Sequence, residues 1–208
     1  MMMPPDGQIQ DTLRPYGLSP DSGKCTAIRT YISLLLRWNQ KISLTTIVDP
    51  MEILRFHFGE SLFAASSVPI QNGRLADVGS GAGFPGMALG IVLPGLSITL
   101  IESNSKKAAF LAEVARELNL HHVDLIRHRF EEVPTNLGKF DYVTARALGD
   151  YGDLLAWSRV ILSNTGRVVL WLGEADSRII SADPSYIWRD PLHIPDSERR
   201  FILVGAPS

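Results

Sequence analysis

From residue 73 onward, β-prone runs alternate with helix-periodic runs, and this alternation limits the chain to an α/β architecture. Arg74 to Val78 is the first expected strand, Pro85 to Val92 a helix, and Ser97 to Glu102 the second strand. A helix capped by Ser105 carries Phe110, Leu111, Val114 and Leu118 on one face, followed by strands at His122 to Arg127 and Phe140 to Thr144. Asp150 to Leu162 is a further helix, ended by Asn164-Thr165-Gly166 before the β-prone Arg167 to Leu172. Right-handed crossovers then build a mostly parallel sheet with helices on both faces. Tyr186 to Ile194 and Arg200 to Val204 flank the turn-prone Pro195-Asp196 and are expected to end the sheet as a C-terminal β-hairpin.

The first quarter of the chain has a different texture. Ile28, Ile32, Leu35 and Leu36 recur at helical spacing between Cys25 and Lys41, and Pro50 to Ser66 repeats the pattern with Ile53, Leu54, Phe56, Leu62 and Phe63. The expected organisation is a mobile segment over 1–24, a helical cap over 25–66 and one Rossmann-like domain over 67–208. A length of 208 residues suits that plan, and 45% hydrophobic with 20% charged residues is the composition of a globular chain. The net charge of −2 and a pI near 6.2 exclude a protein that coats nucleic acid without specificity, though not a local basic patch. Ile91-Val92-Leu93, closed by Pro94, falls far short of the roughly 20 apolar residues of a membrane span. A cytoplasmic monomer without membrane contact is expected, and the lone Cys25 suits a reducing compartment. One cysteine and the adjacent His121-His122 offer no tetrahedral spacing, so no metal is expected.

Asp77-Val78-Gly79-Ser80-Gly81-Ala82-Gly83 leaves the first strand with three glycines, where the backbone must turn sharply and approach a ligand closely. Such a loop is a candidate nucleotide cradle. Asp77 ends the strand, where a carboxylate can meet a cationic or hydroxylated ligand, and Glu102 closes the next strand 25 positions later, where it can accept both ribose hydroxyls. Gly81 to Gly86 formally satisfies G-x-G-x-x-G, the dinucleotide fingerprint. The register argues against it, because the match starts two residues late and Pro85 has no N–H to offer a pyrophosphate. No Gly-Lys-Ser/Thr of a P-loop occurs. A phosphate-free nucleoside fits better, and S-adenosylmethionine is one. A nicotinamide-dependent oxidoreductase and an RNA-binding or assembly protein with a degenerate cofactor site stay open as alternatives.

Several strings, in order, resemble one family. They are Trp38-Asn39 with Ser43-Leu44-Thr45, Arg55-Phe56-His57 with Glu60-Ser61-Leu62, Asp77 through Gly86, Glu102-Ser103 with Lys106-Lys107 and Phe110-Leu111, Arg129-Phe130-Glu131, and Thr144-Ala145-Arg146-Ala147. Over residues 30–172 the chain resembles the bacterial small-subunit ribosomal RNA methyltransferase G family, also called glucose-inhibited division protein B. The resemblance implies a class I methyltransferase that moves a methyl group from S-adenosylmethionine to guanine N7 in the decoding-region loop of 16S ribosomal RNA. It implies that Gly79 and Phe84 line the cofactor loop, that Phe130 and Glu131 border the adenine beyond the ribose-binding Glu102, and that Arg146 stands at the cofactor and substrate mouth. The chain departs from the pattern twice. Gly59-Glu60 stands where relatives usually carry an Asp before Ser-Leu, and Trp171-Leu172-Gly173 where they usually carry Lys-Gly.

Guanine N7 keeps an unshared lone pair at neutral pH, so methyl transfer needs alignment rather than a proton-abstracting base. Arg146 is the expected catalytic residue, because it ends an apolar strand at the ligand edge, with a salt bridge to a nearby acid as the alternative role. Gly81, Gly83 and Asp77 complete the expected cofactor site. Lys106, Lys107 and Arg129, with Arg127 and His128, form a candidate basic lip for the phosphate backbone, and His57 is assigned to RNA contact or to the cap. Phe84 is expected to stack on cofactor or on a splayed base, and Trp38-Asn39 to fix the cap, with Asn39 bonding backbone.

Overall fold

The computed structural model describes residues 3–208. Five parallel strands form most of one sheet: β1 (Gly73–Val78), β2 (Leu96–Ile101), β3 (Val123–Ile126), β4 (Phe140–Arg146) and β5 (Leu162–Gly173). The last strand, β8 (Arg200–Pro207), lies antiparallel against β5 and is itself paired by β6 (Tyr186–Trp188) and β7 (Leu192–His193). The order is β3-β2-β1-β4-β5-β8-β6, with β7 off this path. The expected mostly parallel sheet with an antiparallel end is present.

Alternation along the strands sorts the core into two layers. Val168 and Leu170 of β5 pack with α7 (Gly152–Ile161) on one face, whereas Val169 and Trp171 pack with the N-terminal helices on the other. That second layer also holds α5 (Gly86–Val92) and α6 (Ser105–Glu117). The chain winds from β1 towards β3 along one face, then crosses to β4 and returns along the other. β1, with β2 on one side and β4 on the other, is therefore the switch point, where an open α/β sheet leaves a crevice at its carboxyl edge.

Several boundaries differ from the sequence-based expectation for physical reasons. Asn104, not Ser105, caps α6, because its side-chain oxygen reaches the N–H groups of Lys106 and Lys107 at 3.0 and 3.1 Å. The helix before β5 ends at Ile161, ahead of Asn164-Thr165-Gly166; the pairing jumps from Phe140–Leu162 to Tyr142–Arg167, so Ser163 to Gly166 bulge out of β5. Helix α8 (Glu174–Ile180) follows β5 where no helix was expected.

The opening segment requires a correction. Residues 1–24, expected to be mobile, include α1 (Asp6–Leu13), a 3₁₀ turn at Arg14–Tyr16 and the Asp21 cap of α2 (Ser22–Asn39). Ile9, Leu13 and Tyr16 lie on one helical stripe and are buried in the core. The first core layer runs without a break from these residues through Ile28, Ile32 and Leu35 to the sheet, so packing does not divide the cap from the domain behind it.

The next helical run joins α3 (Pro50–Glu52) and α4 (Glu60–Ser67) through a π-helical stretch, Ile53–Gly59. Asp49 caps its start by accepting from Met51 and Glu52. A π-helical stretch shifts the side-chain register and loosens carbonyls from the i−4 ladder. Here it brings His57 and the Phe56 carbonyl to the carboxyl edge of the sheet, where Arg146 ends β4.

Candidate functional site

A cavity of about 590 Å³ opens at that carboxyl edge. The glycine loop forms one wall through Gly79, Ser80, Gly81 and Ala82, and the π-helical run and the ends of β4 and β5 form the others. The loop is anchored to β2, since the N–H groups of Gly79 and Ser80 donate to Ile101 O at 2.9 and 3.2 Å. Glu102 clamps it further: Oε2 accepts from the Gly81 N–H at 2.8 Å and Oε1 from the Asn104 N–H at 2.7 Å. A carboxylate oxygen accepts more than one bond, so Glu102 can hold the loop and still receive hydroxyls.

Two of the glycines have separate reasons. Gly81, at φ +57°, lines the cavity, and a Cβ there would meet nothing nearer than Gly79 O at 3.6 Å; the backbone conformation alone favours glycine. Gly83, at φ +87°, is buried under the cap, and a Cβ would fall 2.1 Å from the Tyr31 hydroxyl. Gly83 thus admits a neighbour from α2 rather than a ligand. Tyr31 donates to Ala82 O at 2.5 Å, which ties the N-terminal helix to the loop.

Phe84 lines the cavity beside the glycine loop and also packs into the aromatic cluster beneath the cap. Its ring stacks with Tyr31 at 5.3 Å and with His57 at 4.9 Å, meets Phe58 edge-on, and is 7% exposed. These contacts join cap to loop through Phe84, at the wall of the cavity. His57 reaches the cavity, and its Nε2 lies 2.7 Å from Thr45 Oγ1. Thr45 Oγ1 accepts from the Ile47 N–H, which leaves its own proton to donate to the imidazole. Burial, and then the charges of Arg146 and Arg200, bring the His57 pKa down to about 4, which keeps the ring neutral at pH 7.

Asp77 is sealed beneath the loop rather than in the cavity. Thr144 donates to its Oδ1 at 2.7 Å, while Oδ2 has no partner among the described residues. Burial raises its pKa to about 6. Phe130 and Glu131 also lie off the cavity, in a short 3₁₀ turn after β3, where Phe130 meets Trp157 edge-on at 5.6 Å and Glu131 is exposed. Of the expected basic lip, Lys107 lines the cavity, and Lys106, Arg127 and Arg129 are exposed at the ends of β2 and β3, which pair in parallel register.

Arg146 ends β4 and forms the salt bridge weighed for it, at the edge of the cavity. It lines the cavity, and its side chain, 13% exposed, donates to Glu60 Oε2 at 2.7 Å, Phe56 O at 2.9 Å and Ser61 Oγ at 3.2 Å. It pins the π-helical run to the sheet. Glu60, 3% exposed, takes a second guanidinium from Arg200 at 2.6 Å, and its carbonyl accepts from the Trp171 indole at 2.7 Å.

A family model described as rRNA small subunit methyltransferase G matches residues 24–189. The chain belongs to that family. The ribosomal RNA small subunit methyltransferase G of Roseiflexus castenholzii is 36% identical over 200 residues, covering 91% of this chain and 86% of that protein. Its counterpart in Escherichia coli is 31% identical over 199 residues, covering 93% and 95%. Among solved structures, a ribosomal protein L11 methylase from Lactobacillus delbrueckii aligns with a TM-score of 0.62 at 18% identity, covering 74% of this chain and 79% of that one. A SAM dependent methyltransferase from Aquifex aeolicus aligns at 0.63 and 13%, covering 76% and 93%. Both share the class I methyltransferase fold.

Membership of the methyltransferase G family gives the two departures a structural meaning. Glu60, of the Gly59-Glu60 departure, is the carboxylate on which two arginines converge, and Trp171, of the Trp171-Leu172-Gly173 departure, holds the backbone of that same residue. Tyr31, Glu60 and Arg200 were not among the residues picked from sequence. Glu60 was visible only as an oddity of the motif. Arg200 carried no signal, since nothing local tells which end of a hairpin meets a helix 140 residues away.

Proposed function

We propose that this protein transfers a methyl group from S-adenosylmethionine to N7 of a loop guanine in the decoding region of 16S ribosomal RNA, with Arg146 as the residue that aligns the reacting groups. Membership of the methyltransferase G family carries this reading. The cavity supports it, because its walls are a glycine loop on a strand end and a cationic face opposite.

The residues fit the cofactor. Gly79 and Gly81 present backbone to the cavity without side chains, and Glu102 stands behind Gly81 with lone pairs to spare for a ribose diol. S-adenosylmethionine supplies an electrophilic methyl group on sulfur. The protein's part is to hold donor and acceptor in line and to exclude water. No proton leaves N7, so the neutral His57 is not needed as a base; with Thr45 it fixes the wall against which a guanine would rest. In this reading residues 67–208 carry the transfer site, and 25–66 close its mouth through Thr45 and His57. Phe130 and Glu131 would approach the adenine only through a ligand extending past Glu102 along the edge of β2 and β3.

The decisive assay incubates small ribosomal subunits from a strain lacking this protein with labelled S-adenosylmethionine, then treats the RNA with borohydride and aniline, which cleave at N7-methylguanine. Label in 16S RNA and a single cleavage in the decoding region are expected. Label without cleavage would assign another atom, and absence of label would overturn the catalytic reading.

A further inference from the structure

The geometry points to Arg200 as a phosphodiester-binding residue at the substrate side of the cavity. This rests on the methyl-transfer reading for the identity of the RNA, but the residue is singled out by its own surroundings. Glu60 is already neutralised by the nearly buried Arg146, so a second guanidinium is not needed to compensate its charge. Arg200 spends one nitrogen on Glu60, and its side chain is 52% exposed. The remaining N–H donors of its fork have no side-chain or carbonyl partner among the described residues. A fork fixed at one corner and open at the others is pre-organised for an anion with two oxygens.

Its position selects the kind of anion. β8 runs antiparallel to β5 with Arg200 paired to Gly173, which brings the start of β8 to the edge where the parallel strands end. Arg200 lines the same cavity as the glycine loop but lies three strands from β1, roughly 14 Å across the sheet. A cofactor seated on the loop between β1 and β2 sends its ribose and adenine away from β8. The anion beside Arg200 therefore belongs to the substrate. The charged lining agrees: Lys107, Arg146 and Arg200 outweigh Glu60 and Asp176, whereas the whole chain carries −2. Excess positive charge is concentrated where a backbone phosphate flanking a splayed guanine would pass. His57 beside it is held neutral partly by these same arginines, so it adds no charge near neutral pH.

The test compares wild type with Arg200→Ala and Arg200→Lys, using a fluorescent RNA hairpin with a loop guanine and no cofactor, across a salt series. Arg200→Ala is expected to weaken hairpin binding about tenfold at low salt and to flatten the log–log salt slope by about 0.7 to 0.9, one phosphate's worth. Arg200→Lys should recover the slope and most of the affinity, while calorimetry gives unchanged S-adenosylmethionine binding for both variants. An unchanged salt slope in Arg200→Ala would overturn the proposal. A parallel loss of cofactor affinity would also overturn it, placing Arg200 in support of Glu60 or of the cofactor. A wild type that binds the hairpin with an Arg200-dependent slope yet methylates no RNA would leave the phosphate site standing and refute the methyl-transfer reading instead. Normal methylation with an Arg200-independent slope would do the reverse.

Discussion

At the scale of single residues, the site sets three ionisable groups to different tasks. Glu102 holds the glycine loop through Gly81, and in the proposed reading it also receives the ribose, so Glu102→Ala would remove two kinds of bond at once. Charge-assisted bonds are worth roughly 1.5 to 3 kcal/mol, and calorimetry should show S-adenosylmethionine binding weakened by about tenfold to over a hundredfold. Undiminished affinity would remove Glu102 from the cofactor site. Asp77 and His57 are shifted in opposite senses by the same cause, burial. Asp77 rises from 3.8 to about 6, so the folded state binds the extra proton and this group adds stability as pH falls through that window. His57 falls from 6.5 to about 4, so the unfolded state binds the extra proton and stability is lost as pH falls from 6.5 towards 4. The two largely cancel between pH 4 and 6. Relative to wild type, Asp77→Asn should therefore lose stability more steeply on acidification, and His57→Gln less steeply. Urea denaturation at pH 7 and pH 5 reads both, and parallel slopes in all three proteins would refute the assignment.

At the scale of elements, the decisive contact is between the π-helical run and the sheet. Register along that run is ordinary helical periodicity in the sequence, but the π-helical turn lets Phe56 O, Glu60 and Ser61 all face Arg146. Breaking a buried ion pair costs about 3 to 5 kcal/mol when a charge is left without a partner. Glu60→Ala strands the nearly buried Arg146, whereas Arg146→Ala leaves Glu60 with Arg200. The expected ranking in urea unfolding is that Glu60→Ala is the more destabilising, near that full range, with Arg146→Ala smaller by about 1 kcal/mol or more. Equal losses, or the reverse order, would show that Arg200 does not neutralise Glu60. Arg146 holds the cap to the site, so its removal should lower stability as well as methyl transfer.

At the scale of the whole molecule, a chain of net charge −2 must draw its hold on RNA from one edge. Lys106 and Lys107 begin α6 beside the cavity, and neither makes an ion pair among the described residues. Replacing both with alanine should weaken RNA binding and flatten its salt slope by about two phosphate contacts, with S-adenosylmethionine affinity intact. A slope equal to that of wild type would make the pair a solvated face. Among the described residues no helix is long and apolar enough to cross a membrane.

The sequence by itself determined the strand–helix alternation, the glycine turn at the switch point and the carboxylate after β2, because each depends on residues near one another in the chain: periodicity, backbone freedom, a strand end. It also carried the family, through motifs spread from Trp38 to Arg146. It did not reveal that the opening residues are packed, because Ile9, Leu13 and Tyr16 form too short a stripe to be told from a polar lead until the sheet and α2 give them something to bury against. Nor could it give Gly83 to Tyr31 or Phe84 to His57. Tertiary structure alone decided the arrangement around Glu60, where β4, the π-helical run, β5 and β8 meet. The reason is physical: a buried charge must find its partners wherever the fold brings donors together, and those donors stand 86, 111 and 140 positions away along the chain.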